Sequence, residues 1–380
     1  MQFQLTDEQT MIRDTARSFS ETELLPRATR HDREEKIDPA VFEKMKELGL
    51  WGLTAPAEFG GAGLGNVELS LVLEEVNRAC AATGVTLSVH NSLVTGPIRK
   101  FGTPEQKQAW LPRLASGEII GAYCLTEPNA GSDAAALRTS ARAEGEQWVL
   151  DGTKIWVTNG GIAGVYVVYA RTDSKVSKAK GISAFIMPRE TKGLAVGKHE
   201  KKTGIRGSST TEIVLEGVRI PKGNLLGELN KGFMIAMDTL DGGRIGIASQ
   251  AVGIARACLE AAVKYGKERE QFGQPIANYQ AIQWKLADMS TRIDAARLLV
   301  WKAAWLRDRG EKCTQAASEA KLFASQTANY AADECLQIHG GAGYTDHFHV
   351  ERLFRDARIT EIYEGATDVQ RIVIARSVLA

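Results

Sequence analysis

A chain of 380 residues that is 44% hydrophobic carries enough apolar material for a large buried core, divided by length into about two or three domains. Its 47 basic and 46 acidic residues are spread evenly, which leaves no basic stripe for nucleic acid or an anionic membrane surface. No apolar run nears the ~20 residues of a membrane span, and Met1–Thr10 lacks a signal pattern. The five cysteines and six histidines lack disulfide-framework or metal-ligand spacing, so the expectation is a cytoplasmic protein with reduced thiols and no metal.

Residues 1–118 read as helical. Thr6 and Gln9 stand at capping-box spacing, and Asp38-Pro39 supplies a cap and a first-turn proline for a helix that stops at Gly49. The loop Phe59–Gly65 is glycine-rich, but Asn66 occupies the third glycine position of a dinucleotide fingerprint, so it reads as a turn. Helices are expected at 66–82 and 84–100, and Thr103-Pro104 caps another that ends near Gly117.

Residues 119–228 change character. Short β-rich runs fall at Ile119–Leu125, Trp148–Leu150, Lys154–Thr158, Val165–Ala170, Ile182–Met187 and Thr211–Leu215. Asp151-Gly152 predicts a hairpin turn, and the segment as a whole predicts a small antiparallel domain. Lys175–Lys180 reads as a solvated loop. From 229 to 380 the chain is helical again. The Gly- and Ala-rich stretch Gly242–Ala257 permits close helix contacts, and long helices are expected at 276–309 and 314–338. Thr367 and Gln370 again have capping-box spacing, which predicts a last helix opened by Thr367.

Five stretches carry candidate chemistry, each with an ordinary structural reading beside it. Tyr123-Cys124-Leu125-Thr126-Glu127-Pro128-Asn129-Ala130-Gly131-Ser132-Asp133 is a strand running into a polar turn suited to a heterocycle or phosphate, or simply a Pro-Asn turn. In Trp156-Val157-Thr158-Asn159-Gly160, an indole two residues from a hydroxyl suits a stacked ring, or else a core Trp beside a surface Thr. Arg269 to Gly273 places an arginine where a pyrophosphate, or only a helix C-terminus, would want a cation. Gln337 to Gly343 is a helix end whose glycines open the backbone to a ligand, or a plain cap. Glu364-Gly365, just before the last helix, places a carboxylate on a turn beside a residue without bulk.

LTEPNAGSD (125–133), KIWVTNG (154–160), REQFGQPI (269–276), QIHGGAGY (337–344) and IYEGATDVQ (362–370), in this order, resemble the acyl-CoA dehydrogenase family over nearly the whole chain. The resemblance implies an α+β architecture: a helical N-terminal domain (1–118), a middle antiparallel β domain (119–228) and a C-terminal four-helix bundle (229–380). It implies FAD as cofactor, a homotetramer, an acyl-CoA substrate and an electron-transferring flavoprotein as partner. Tyr123, Leu125, Thr126, Ser132, Trp156, Val157 and Thr158 would line the flavin, with Ala366, Thr367 and Asp368 nearby. Arg269, Phe272, Gln280, Gln337, Gly340 and Gly341 would reach the pyrophosphate and adenosine of an FAD held by a neighbouring subunit. Ser132, Asp241, Arg244, Tyr363 and Gly365 would contact the acyl-CoA.

By the same resemblance, Glu364 is the base that takes the α-proton, giving a trans-2-enoyl-CoA. Isovaleryl-type relatives carry the base on a bundle helix, where this chain has Asp241-Gly242-Gly243-Arg244. Glutaryl-type relatives carry an arginine where this chain has Gly84. Ala366 replaces a hydroxyl residue of many straight-chain enzymes and occurs in 2-methyl-branched-chain types. The pattern is most similar to the short-chain, butyryl-type branch. The alternatives are a 2-methyl-branched-chain dehydrogenase, an acyl-CoA oxidase and a DNA-binding flavoprotein relative.

Overall fold

The computed structural model describes residues 4–380. Seven helices come first: α1 (Asp7–Phe19), α2 (Ala28–Arg33), α3 (Pro39–Glu47), α4 (Asn66–Ala79), α5 (Ala81–Ser88), α6 (Gly96–Phe101) and α7 (Pro104–Ala115). The caps read from the sequence form here. Thr6 and Gln9 exchange the two capping-box hydrogen bonds, as do Thr103 and Gln106, and Asp38 accepts from the Ala40 N–H at 3.0 Å. The expected helices at 66–82 and 84–100 are broken differently. Cys80 is extended, and a wide π-turn over Val89–Thr95 joins α5 to α6.

Eight strands follow: β1 (Gly121–Cys124), β2 (Ser140–Glu144), β3 (Gln147–Thr158), β4 (Val165–Arg171), β5 (Ile182–Pro188), β6 (Leu194–His199), β7 (Thr210–Pro221) and β8 (Leu225–Leu226). They form one sheet in the order β6-β7-β3-β2-β4-β5-β8, with β1 also paired to β4. The sheet is mixed, not purely antiparallel: β4 runs parallel to both β1 and β2. Asp151-Gly152 is no hairpin turn either. The turn falls at Gly145, whose φ of 55° supplies the left-handed bend, and β3 runs unbroken through Asp151. Gly152 instead marks a register shift against β7, and the Asp151 carboxylate accepts from the Gly217 N–H at 2.6 Å. A Gly in a strand relieves twist as readily as it makes a turn, and the flanking residues alone do not distinguish the two.

Both faces of the sheet are covered. Along β4, Val165, Val167 and Tyr169 enter a core shared with Val94, Ile98, Leu111 and Ile235, while Tyr166, Val168 and Ala170 enter a second core on the opposite face. This two-sided burial is why β4 and β5 are almost continuously apolar.

The remaining chain comprises α8 (Gly232–Glu268), a ribbon of β9 (Glu270–Gln271) and β10 (Gln274–Pro275), then α9 (Gln280–Asp308), α10 (Thr314–His339), α11 (Val350–Arg358) and α12 (Thr367–Val378). On α10, Ala317, Ala320, Ala324, Ala328, Ala331 and Cys335 form a fully buried stripe at helical spacing. Small residues on α8 answer it: a Cβ at Gly253 would crowd the α4 backbone, and one at Gly246 would strike Ser88. α8 also contains an 18-residue window of mean hydropathy 1.2, long and apolar enough by composition to cross a membrane, contrary to the sequence reading. Of that window 78% is buried within the fold, as befits a core helix.

Candidate active site

The longest helix, α8, is the spine of the site. Gly232 at its start packs on the β5 backbone, Asp241–Arg244 lie buried in its middle, and Arg269 caps its far end. Glu364 approaches the middle of α8 from the other side. The chain leaves α11 through a short turn, Ile359–Glu361, and then bends twice through left-handed backbone, at Glu364 (φ 50°) and Gly365 (φ 98°). For a glutamate that conformation is strained. Its neighbours hold it. Gln370 Nε2 donates to the Glu364 carbonyl at 3.3 Å and to the Gly365 carbonyl at 2.8 Å. Lys321 Nζ, from α10, donates to the same Gly365 carbonyl at 2.6 Å. Tyr363 Oη donates to Gln250 Oε1 on α8.

The expected cap of the last helix is therefore absent. Ala366 takes the cap position with no side chain to bond, Thr367 Oγ1 turns back to the Glu361 carbonyl at 3.2 Å, and Gln370 serves the Glu364 turn. The capping-box spacing was occupied by residues with another task. Asp368, exposed, pairs with Arg371 at 2.9 Å.

Glu364 Oε2 is fully buried and has no hydrogen-bond partner. It sits against Gly243 and Leu93 so closely that a Cβ on Gly243 would overlap both. Burial pushes its carboxyl up to about 7, against the opposing charges of Lys321 and Arg244. Among the described residues, no backbone acceptor takes the Glu364 N–H outside the regular elements. Arg244 is itself buried, bonded through Nη1 to Asp241 at 2.6 Å, while Thr314 Oγ1 donates to the other Asp241 oxygen at 2.6 Å. Arg244 Nε has no partner. Arg244, Tyr363 and Gly365 thus lie about one carboxyl, with Asp241 bonded to Arg244 behind it.

On the sheet side, burial and the neighbouring Tyr169 raise the phenol of Tyr123 on β1 well above the ordinary range, and Glu364 adds a smaller push in the same direction. Its Oη is buried without a partner. Leu125 and Thr126 continue into the turn, which the Ile155 N–H fastens to β3 through the Thr126 carbonyl at 3.0 Å. Ser132 is exposed at the tip of that turn. Trp156 has φ 56° and sits in a second register shift of β3, so two-residue spacing does not put it on one strand face with Thr158, as regular alternation would. The shift leaves its indole 62% exposed while Val157 is buried and Thr158 half-buried.

Sequence reasoning missed the support of this turn. Lys154 and Glu127 form a buried ion pair at 2.7 Å; Lys154 also donates to the Leu125 carbonyl at 3.1 Å, and Glu127 accepts from the N–H groups of Arg138 and Thr139 at 2.6 and 2.9 Å. Asn159, at φ 66°, donates to the carbonyls of Thr86 and Gly121, both at 3.1 Å, and ties the end of β3 to α5 and β1. Both motifs had contained these residues, but a lysine in a strand reads as a surface residue until its partner across 27 positions is known.

The remaining predicted residues gather elsewhere. Arg269, Phe272 and Gln280 stand where α8 passes through the ribbon into α9; Gln337, Gly340 and Gly341 stand at the end of α10. Tyr265 of α8 stacks on His339 with ring centroids 4.2 Å apart, which joins the two groups. Phe272 is 95% exposed at the ribbon tip. Along α10, His339 lies about 27 Å from Lys321 at 1.5 Å per residue. The structure therefore makes two clusters on one chain, one around Glu364 and one around His339.

Models of the acyl-CoA dehydrogenase N-terminal, middle and C-terminal domains match residues 6–118, 122–218 and 230–379. The chain belongs to the acyl-CoA dehydrogenase family. It is 51% identical to the mitochondrial short-chain specific acyl-CoA dehydrogenase of Bos taurus, over 99% of this chain and 91% of that one. The butyryl-CoA dehydrogenase structure from Megasphaera elsdenii superposes with a TM-score of 0.98 at 43% identity, covering 100% of both chains. A chain from a structure of the electron transferring flavoprotein of Acidaminococcus fermentans does so with a TM-score of 0.98 at 47% identity, again covering 100% of both.

Acyl-CoA dehydrogenases are FAD-dependent, and this chain fits that cofactor. An exposed indole on a bulge, half-buried Thr126 and Thr158 beside it, and an unpartnered Tyr123 hydroxyl together offer a stacking face and polar edges for a planar heterocycle.

Proposed function

We propose that this acyl-CoA dehydrogenase removes the α-proton of a short-to-medium-chain acyl-CoA with Glu364 and yields the trans-2-enoyl-CoA. The observation that carries the reading is the Glu364 carboxyl: buried, unpartnered at Oε2, raised to about 7, and pressed toward Gly243 in the middle of α8. A carboxylate in that state is a far better base at neutral pH than an ordinary one. The free Glu364 N–H donates to the thioester carbonyl and stabilises the negative charge that develops there. Arg244 and Lys321 supply fixed positive charge to the same slot. Bound FAD supplies the acceptor for the β-hydride. Tyr123, Leu125, Thr126, Ser132 and Trp156–Thr158 hold its ring, with Ala366, Thr367 and Asp368 alongside.

Gly243 favours this assignment over a base on α8, because no carboxylate stands at that contact and Asp241 is already bonded to Arg244 and Thr314. The second cluster, Arg269, Phe272, Gln280, Gln337, Gly340 and Gly341, reaches the pyrophosphate and adenosine of an FAD in a neighbouring copy. The ~27 Å along α10 between the two clusters supports that division, and so do the exposed Phe272, Trp284 and Tyr344, which a homotetramer would cover. Electrons pass on to an electron-transferring flavoprotein.

Replacing Glu364 with Gln tests the reading. E364Q purifies with its flavin and folds, and its turnover of butyryl-CoA falls by at least about 10³-fold, since amide nitrogen cannot accept the proton. Near-normal turnover in flavin-loaded E364Q would end the assignment.

A further inference from the structure

Lys321 is among the largest fully buried side chains, and among the described residues no carboxylate lies within ion-pair distance of it. A lysine is almost never buried unless paired. Here its one hydrogen bond is to the Gly365 carbonyl at 2.6 Å, the second peptide of the left-handed turn that displays Glu364. We infer that Lys321 is a positioning residue for the catalytic base: its Nζ pins the Glu364-Gly365 turn from α10, and its charge holds Glu364 ionisable in a slot that would otherwise keep it protonated.

Three observations meet in this inference. First, the bond closes a clamp. Gln370 grips the turn from α12 and Lys321 from α10, both on the Gly365 oxygen. Second, the carboxyl has no partner of its own at Oε2, so compensation for its burial comes across space. Third, the charges facing the slot are few. Arg244 faces it from α8, already bonded to Asp241; the phenols of Tyr123 on β1 and Tyr363 beside it are held neutral; and Glu361, near Lys321, is bonded to Arg358. Lys321 is therefore the cation without a carboxylate bond of its own. It titrates within reach of neutral pH itself, lowered to about 8 by burial and sustained by Glu364. Between about pH 7 and 8 the pair stands as carboxylate and ammonium.

This inference rests on Glu364 as the base, and its test separates the two. K321Q keeps a donor for the Gly365 carbonyl and loses the charge; K321M loses both; K321R keeps the charge. In flavin-loaded enzyme the acid limb of kcat/KM moves to higher pH in K321Q and K321M, by about one unit. It stays in place in K321R. In K321M the turn also loosens, so kcat at the plateau falls further than in K321Q. An infrared titration of the protonated-carboxyl band that E364Q lacks shows the same upward move without turnover. A folded K321Q whose limb and band stay at the wild-type position overturns the inference while E364Q, inactive, leaves Glu364 standing as base. Active E364Q removes the base assignment instead. If neither K321Q nor K321R folds while K321M does, Lys321 is a core residue alone, and the inference also falls.

Discussion

The raised carboxyl of Glu364 makes a quantitative claim about pH. With its titration near 7, about one molecule in eleven carries the reactive carboxylate at pH 6, and about ten in eleven carry it at pH 8. The log of kcat/KM for free enzyme and butyryl-CoA rises by about one unit over that range. A carboxyl at its ordinary 4.5 would leave the profile flat there. The same displacement has a thermodynamic face. The folded state binds this proton more tightly than the unfolded state, so its contribution to stability is complete below pH 4.5 and is lost as pH rises through about 7. The difference of about 2.5 units corresponds to roughly 3 kcal/mol at pH 8. E364Q, which has no proton to lose, is therefore more stable than wild type at pH 8 by up to about that amount, and equal to it near pH 4.5. Stopped-flow reduction of the flavin across pH 5.5–9 reads the first effect; denaturant unfolding at the two pH values, at saturating FAD, reads the second. A flat rate profile between pH 6 and 8, together with equal stabilities at pH 8, would refute the argument that burial has raised this group.

Two further outcomes follow from the packing. Gly243→Ala places a methyl group on Glu364 Oε2 and Leu93, displaces the carboxyl, and lowers kcat by about 100-fold while the flavin-to-protein ratio stays at wild type; unchanged kcat would mean the carboxyl does not rest on α8. Lys154→Met leaves Glu127 charged and unpaired in the interior, which costs about 3–5 kcal/mol in denaturant unfolding and frees the turn at 125–133, so FAD is lost on gel filtration.

Much of the fold was legible because its signals are local. The caps at Thr6, Asp38 and Thr103 and the two-sided apolar strands β4 and β5 need only neighbours a few residues away. The errors arose where a local pattern had a distant competitor. Asp151-Gly152 meets the requirements of a tight turn, yet β7 pairs with both sides of it and holds the strand straight. Thr367 and Gln370 match a capping box, but the carbonyls of Glu361, Glu364 and Gly365 claim both side chains. Among the candidate residues, Tyr123, Arg244, Tyr363 and Gly365 gather around Glu364, whereas Ser132 and Trp156 stand exposed on the sheet side. The contributions of Lys154, Asn159 and Lys321 were illegible, since a buried polar side chain is recognised by its partner and each partner lies far along the chain.

Backbone strain connects these cases. Seven non-glycine residues have positive φ among the described residues, and four of them, Trp156, Asn159, Phe272 and Glu364, lie in the motifs that carry the family resemblance. Each such bend costs on the order of 1–3 kcal/mol, and glycine would remove most of that cost. For three of the four, glycine instead stands next in the chain: Gly160 after Asn159, Gly273 after Phe272, Gly365 after Glu364. The arrangement makes sense if a side chain must project from the apex of the bend. An indole, an amide, a phenyl ring and a carboxyl are each presented at an angle that regular helix or strand does not offer. The strain is then offset locally: the Lys154–Glu127 pair fastens the turn beside Trp156, the bonds to Thr86 and Gly121 hold Asn159, and Gln370 and Lys321 hold Glu364. Phe272 is held by Tyr279, whose hydroxyl reaches the Gln271 and Phe272 carbonyls at 2.8 and 3.5 Å and whose ring meets the Phe272 ring edge-on at 6.4 Å, yet the ring is still 95% exposed. An exposed aromatic at a ribbon tip is free to take contacts from a neighbouring copy, as the homotetramer proposed above would supply.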